Sequence, residues 1–189
     1  MRTTRSGESA LLLLDVVDLL AGAKIAYAVV GALAASIHGA VRASMDADLV
    51  LSIEMPEAAK LELAFKAAGF TTVLTRGDAD DPIPGMLRSS DRYGNRVDLL
   101  IGIRGMQAQA FFRLVEVPFQ GKMLTFIGRE DFIAMKAFAG GPLDLIDAER
   151  AISAAGDLLD MELVRRLARE YGRTAAEALD SLLTGAHRN

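Results

Sequence analysis

The stretch RASMDADLVLSI, residues 42–53, decides the fold. Leu49, Val50, Leu51 and Ile53 are branched apolar residues and read as a buried β-strand. Asp46 and Asp48 sit two residues apart where that strand begins. Side chains alternate across a strand, so Asp46, Asp48 and Val50 share one face, and Ala47, Leu49 and Leu51 point to the other. Two ionised carboxylates this close repel and raise each other's pKa unless a positive charge lies between them. Two readings are open at this point: a polar strand end facing water, or a paired-carboxylate site for a divalent cation.

The neighbouring segments favour the second. Upstream, KIAYAVVG (24–31) reads as a short buried strand that ends at Gly31, and ALAASIHG (32–39) as a helix of small residues. A strand–glycine–helix junction offers backbone N–H groups and the positive end of a helix dipole, which suits a phosphate. Downstream, Pro56 opens a helix to about Ala68, with Gly69 as its stop. FTTVLTR (70–76) is a third strand, and GDADDPIPG (77–85) a loop. MLRSSD and RVDLLIG flank RYGN as a hairpin, and Asp98 in the second arm again interrupts an apolar run. If that arm lies beside residues 46–53, Asp98 joins the pair. Three carboxylates on neighbouring strands then form a Mg²⁺ site able to hold two ions, which clamp a triphosphate and acidify an attacking hydroxyl.

The flanks complete the architecture. Residues 8–22 read as an amphipathic helix capped by Ser6 or Ser9. A short helix is expected near 105–113, then a hairpin of VEVPF and MLTFIG about QGK. Helices follow over 129–139, 142–155, 158–171 and 173–184, punctuated by Gly140-Gly141-Pro142, Gly156 and Gly172. The expectation is an α/β (α+β) core over 1–128, a mixed sheet flanked by helices, with a helical C-terminal region over 129–189.

Composition narrows the chemistry. The chain has 189 residues, 51% of them hydrophobic, enough for a sizeable core. It has no cysteine, which excludes disulfides, thiolate zinc sites and a catalytic thiol. Its two histidines, His38 and His187, are far apart in sequence, so carboxylates are the plentiful metal ligands, and they favour hard cations such as Mg²⁺. A net charge of −4 gives no general attraction to nucleic acid. Asp15 and Asp18 interrupt the apolar N-terminal stretch, which reads as a helix rather than a signal peptide. No apolar run is long enough to cross a membrane, so a cytoplasmic protein is expected.

The ordered set is an apolar strand, Gly31-Ala32, thirteen residues, Asp46-x-Asp48 and a later Asp98. It resembles the nucleotidyltransferase fold of the DNA polymerase β superfamily. The pattern GAxAxxxHGxxRxSxDxD is similar to small bacterial members related to AbiEii-type toxins of toxin–antitoxin systems and to minimal nucleotidyltransferases. REDFIAMKAFAGGPLDLIDAERAI, from residue 129, is similar to a later motif of that subgroup, with Lys136, Asp144 and Asp147 on its positions. The resemblance spans about 24–150. It implies an enzyme that transfers a nucleoside monophosphate from an NTP, ATP among them, to an acceptor hydroxyl. Asp46, Asp48 and Asp98 would be its Mg²⁺ ligands and catalytic carboxylates, with Asp98 able to act as general base. Gly31 and Ala32 would hold phosphate through backbone N–H groups, and Arg42 and Lys136 would neutralise the triphosphate. The acceptor could be tRNA, a protein or a small molecule, and an antitoxin is a possible partner. Ala32 and Leu143 depart from the family, which has Ser or Gly and commonly Lys there. Hence the alternative is a nucleotide-binding or protein-interaction module with little or no catalysis.

Other polar residues read as structural. His38 suits a satisfied interior position, and Ser44 a turn at strand entry. Asp144 and Asp147 lie near a helix start, with Asp147 able to pair with Lys136 or Arg150. Asp78, Asp80 and Asp81 read as an exposed loop, and Arg165, Arg166 and Arg169 as a solvated helix face.

Overall fold

The structure, a computed structural model, describes residues 1–186, and His187 lies outside them. The chain forms two compact units, each assembled from separate stretches. Met1–Gly31, Ala43–Arg104 and Glu116–Phe126 make the sheet unit, and Ala32–Arg42, Gly105–Val115 and residues from 127 onward make the helical unit.

The strands are β1 (Tyr27–Val30), β2 (Asp46–Leu51), β3 (Thr71–Arg76), β4 (Gly85–Ser90), β5 (Arg96–Ile101), β6 (Val115–Phe119) and β7 (Lys122–Phe126). They form one mixed sheet in the order β3-β4-β5-β2-β1-β7-β6. β2 runs parallel to β5 and antiparallel to β1, and β4 is antiparallel to β3 and β5. This is the mixed sheet with helices expected from the sequence.

Register sorts the side chains into two faces. Leu87, Leu99 and Leu49 stand in one row across β4, β5 and β2, each fully buried. The next row, pointing to the opposite face, is Arg88, Asp98 and Asp48. One residue of slip would exchange the rows and bury the charges, so the leucine row pins the register. Helix α1 (Ser9–Gly22) packs on β2 and β5 with Leu12, Leu13, Val16 and Leu20 fully buried, and α3 (Met55–Ala67) packs on β3 and β4 with Phe65. Truncating one of these leucines to alanine typically costs about 2–5 kcal/mol.

The cap of α1 differs from expectation. Neither Ser6 nor Ser9 caps α1. The N-cap position is Glu8, whose carboxylate accepts from Thr4 N at 2.6 Å. Ser9 instead donates its hydroxyl to Met45 O at 2.7 Å and accepts from Arg96 N at 3.0 Å, so it ties together the starts of β2 and β5. Helix α3 carries a reciprocal capping box between Glu54 and Glu57, with Pro56 in its first turn.

In the helical unit, α2 (Gly31–Ile37) is followed later by α4 (Arg129–Ala139), α5 (Pro142–Ala155), α6 (Met161–Tyr171) and α7 (Arg173–Ala186). α4 is central and touches α5, α6 and α7, so Phe132, Ile133, Ala134 and Ala137 are almost fully buried. Gly140, at φ 65°, ends α4 in the left-handed conformation and donates to Lys136 O. The helix expected over 158–171 begins at Met161, because Asp160 caps Leu163 N at 2.9 Å. The expected helix at 105–113 is a 3₁₀ segment over Ala108–Phe112.

Candidate functional site

The sheet unit gathers four of the residues singled out by sequence. Asp48 and Asp98 are direct register partners on parallel strands, with Cα atoms about 4.8 Å apart by strand spacing. Asp46 pairs in register with Arg96, two residues back along both strands and on the same face. Gly31 follows β1, whose Val30 is the register partner of Asp48. Its φ is 61°, and a Cβ there would lie 2.8 Å from Asp48 Cγ. Glycine is therefore required twice over, for the backbone angle and for the Asp48 carboxylate resting against it.

The sequence reading missed two arginines that complete this group. Arg88 meets Asp98 as a fork, Nε to Oδ1 at 3.0 Å and Nη2 to Oδ2 at 3.2 Å. Arg96 donates through Nη2 to Asp46 Oδ2, and its Nε lies 3.6 Å from Asp98 Oδ2. That Nε is buried without a hydrogen-bond partner. Ser44 donates to Asp46 Oδ1 at 2.7 Å. Burial works against the ionised form of Asp46, yet Ser44 and Arg96 outweigh it and hold its carboxyl below the usual range. Asp98 in turn raises the pKa of Arg88. Hairpin symmetry held the signal for Arg88: counting outward equally from Tyr93 sets it opposite Asp98.

The donor set suits a hard divalent cation, being three carboxylates on one face at one end of two neighbouring strands. Asp46 and Asp98 turn their oxygens to arginine, however. Among the described residues no group of three His, Cys, Asp or Glu side chains is arranged as a metal cage. A cation bound by this trio would therefore have to exchange with the guanidinium groups.

The helical unit gathers the remaining expected residues around a different carboxylate. Asp147, 1% exposed, accepts from Arg42 Nε at 3.2 Å on both oxygens and pairs with Lys136 Nζ at 3.1 Å. Lys136, 5% exposed, also donates to Asp144 at 2.6 Å and lies 5.6 Å from the Phe132 ring centroid. Lys136 is thus the partner Asp147 takes of the two expected from sequence. Ala32 lies in α2 and is buried. His38 is buried, with Nε2 2.8 Å from Ile127 O, so it donates that proton, and burial holds its pKa down. In the loop before β4, Asp78, Asp80 and Asp81 are exposed, as are Arg165, Arg166 and Arg169 on α6.

A scan against family models finds no match for the chain, and a search of curated proteins finds none. Solved structures do resemble it. The solution structure of the antibiotic-resistance factor ANT(2'')-Ia aligns with a TM-score of 0.60 at 12% identity, covering 95% of this chain and 97% of that one. The crystal structure of ANT(2'')-Ia with adenylyl-2''-tobramycin aligns at 0.58 and 13% identity, covering 85% and 95%. The lincosamide antibiotic adenylyltransferase LnuA, bound to lincomycin, aligns at 0.50 and 11% identity, covering 80% and 99%. Identity this low carries the fold alone, and on that evidence the chain has the nucleotidyltransferase fold.

Proposed function

We propose that the protein transfers a nucleoside monophosphate from an NTP to a hydroxyl group of a small molecule, in a Mg²⁺-dependent reaction centred on the sheet unit. The observation that carries this reading is the adjacency of Asp46, Asp48 and Asp98 on one face, with Gly31 against Asp48. Bound divalent cations would supply charge neutralisation for the triphosphate and its pyrophosphate leaving group. Asp46 and Asp48 would hold them, with Asp98 as third ligand. Once its oxygens are released by arginine, Asp98 would also accept the acceptor hydroxyl's proton. The bond from the acceptor oxygen to the α-phosphorus forms as the bond from that phosphorus to the bridging oxygen breaks, and pyrophosphate leaves. Backbone N–H groups of Gly31 and Ala32 would receive phosphate oxygens.

Small hydroxylated acceptors, antibiotics among them, are favoured by the likeness to ANT(2'')-Ia and LnuA. A tRNA acceptor is less well supported in a chain of net charge −4. The test is pyrophosphate release from each NTP with Mg²⁺ and a panel of hydroxylated antibiotics, followed by mass spectrometry of the acceptor. The expected product gains one nucleoside monophosphate, and Asp98→Asn abolishes the gain.

One observation favours a second reading, nucleotide binding without transfer. Both Asp98 oxygens are taken by Arg88, so neither is turned toward an acceptor hydroxyl. Nucleotide binding with no pyrophosphate released for any acceptor would select it.

A further inference from the structure

Arg88 and Arg96 stand where a cation would bind, and neither is sealed in. Their side chains are 43% and 39% exposed, whereas the Asp98 side chain is 9% exposed. Asp46, Asp48 and Asp98 share this face of the sheet with Arg88 and Arg96. A dication approaching Asp98 meets Arg88 on both oxygens, and one approaching Asp46 meets Arg96. Displacing an arginine without offering it another acceptor is costly, because the charge-assisted bonds are lost and nothing replaces them. A metal–triphosphate complex offers the replacement, since its phosphate oxygens accept forks of the same shape as a carboxylate. Arg96 Nε lies 3.6 Å from Asp98 Oδ2 without a hydrogen bond, so its bonding is left unfilled by the carboxylates.

We propose that Arg88 and Arg96 are exchangeable counter-ions: they neutralise Asp98 and Asp46 in the nucleotide-free protein and pass to the triphosphate when metal and nucleotide bind together. The proposal rests on the sheet-unit site described above. It makes these arginines nucleotide-binding residues, and it makes the site bind metal poorly alone and well with nucleotide.

The test is titration of Mn²⁺ alone, followed by electron paramagnetic resonance, and of Mn²⁺ with a non-hydrolysable NTP analogue, followed by calorimetry. Wild type is compared with Arg88→Met, with Arg96→Gln as a second variant. Arg76→Met, on exposed β3, serves as control. Exchange requires two opposite shifts in Arg88→Met: Mn²⁺ alone binds about tenfold tighter and the metal–nucleotide complex about tenfold weaker, as expected for removing one unit charge a few ångströms away in a half-exposed site. The control moves neither. Tighter Mn²⁺ with unchanged nucleotide affinity shows an electrostatic neighbour only and overturns the exchange. Unchanged Mn²⁺ affinity overturns it too, while leaving the site itself standing. Wild type and variants that bind neither metal nor nucleotide overturn the site reading along with the exchange. Should Arg88→Met not fold, Arg96→Gln must show the same two shifts.

Discussion

The sheet unit and the helical unit each hold a charged cluster built from the same chemistry, and they differ in what surrounds it. In the sheet unit the cations are surface arginines reaching inward to carboxylates at the start of two strands. In the helical unit Asp147 is 1% exposed and Lys136 5%, so both members of the central pair are sealed. A sealed pair cannot exchange partners, and removing one member strands the other charge in the interior. In the sheet unit the arginine of each pair is half exposed, so it can pass to another acceptor that arrives from solvent. The difference separates a cluster that holds a fold from one that can bind a ligand.

The largest expected effect lies in the sealed cluster. Asp147→Ala takes the shared carboxylate from Lys136 and Arg42, leaving Lys136 only Asp144, and should cost up to about 3–5 kcal/mol. In a chain of this size that lowers Tm by about 10 °C, read by scanning calorimetry. A loss under 1 kcal/mol would erase the distinction between the clusters. Next comes Gly31→Ala, where the left-handed backbone costs about 1–2 kcal/mol and the new methyl displaces Asp48. Chemical denaturation should show that loss, and nucleotide affinity should fall with it. A variant of wild-type stability and affinity would mean that Asp48 is not seated against the glycine. Asp98→Asn should change stability by at most about 1 kcal/mol, since its partners are half exposed, while removing metal–nucleotide binding. A large stability loss here would make the sheet cluster structural after all.

The smallest effect is a pH dependence from His38. Its folded pKa is held below the unfolded value by burial, so the unfolded chain binds the proton more readily. The neutral ring's contribution is present above pH 6.5, the unfolded value, and is lost as pH falls through that value toward the folded pKa. Denaturant midpoints measured from pH 7 down to pH 5.5 should decline in wild type and decline less in His38→Gln. Parallel curves would place the His38 ring in water.

Much of the sheet unit was legible because strand alternation is a strict rule. Apolar residues around Asp46, Asp48 and Asp98 fix which way each carboxylate points, and Gly31 punctuates a buried run. Arg88 and Arg96 were harder to see, since an arginine beside a turn reads as solvent-facing until the hairpin register is fixed. Ser9 looked like a helix cap because composition cannot tell a hydroxyl serving its own helix from one serving Met45 and Arg96. The sequence left Asp147 a choice of Lys136 or Arg150, because its burial comes from packing among α4, α5 and α7, which no local pattern encodes.

The most direct measurement of the central claim is a calorimetric titration of Mg²⁺ with a non-hydrolysable NTP analogue into wild type and the double variant Asp46→Asn, Asp48→Asn, with melting curves recorded for both. The sheet-unit site requires saturable binding in wild type and its loss in a variant that still melts cooperatively. Equal affinity in the two proteins would contradict it.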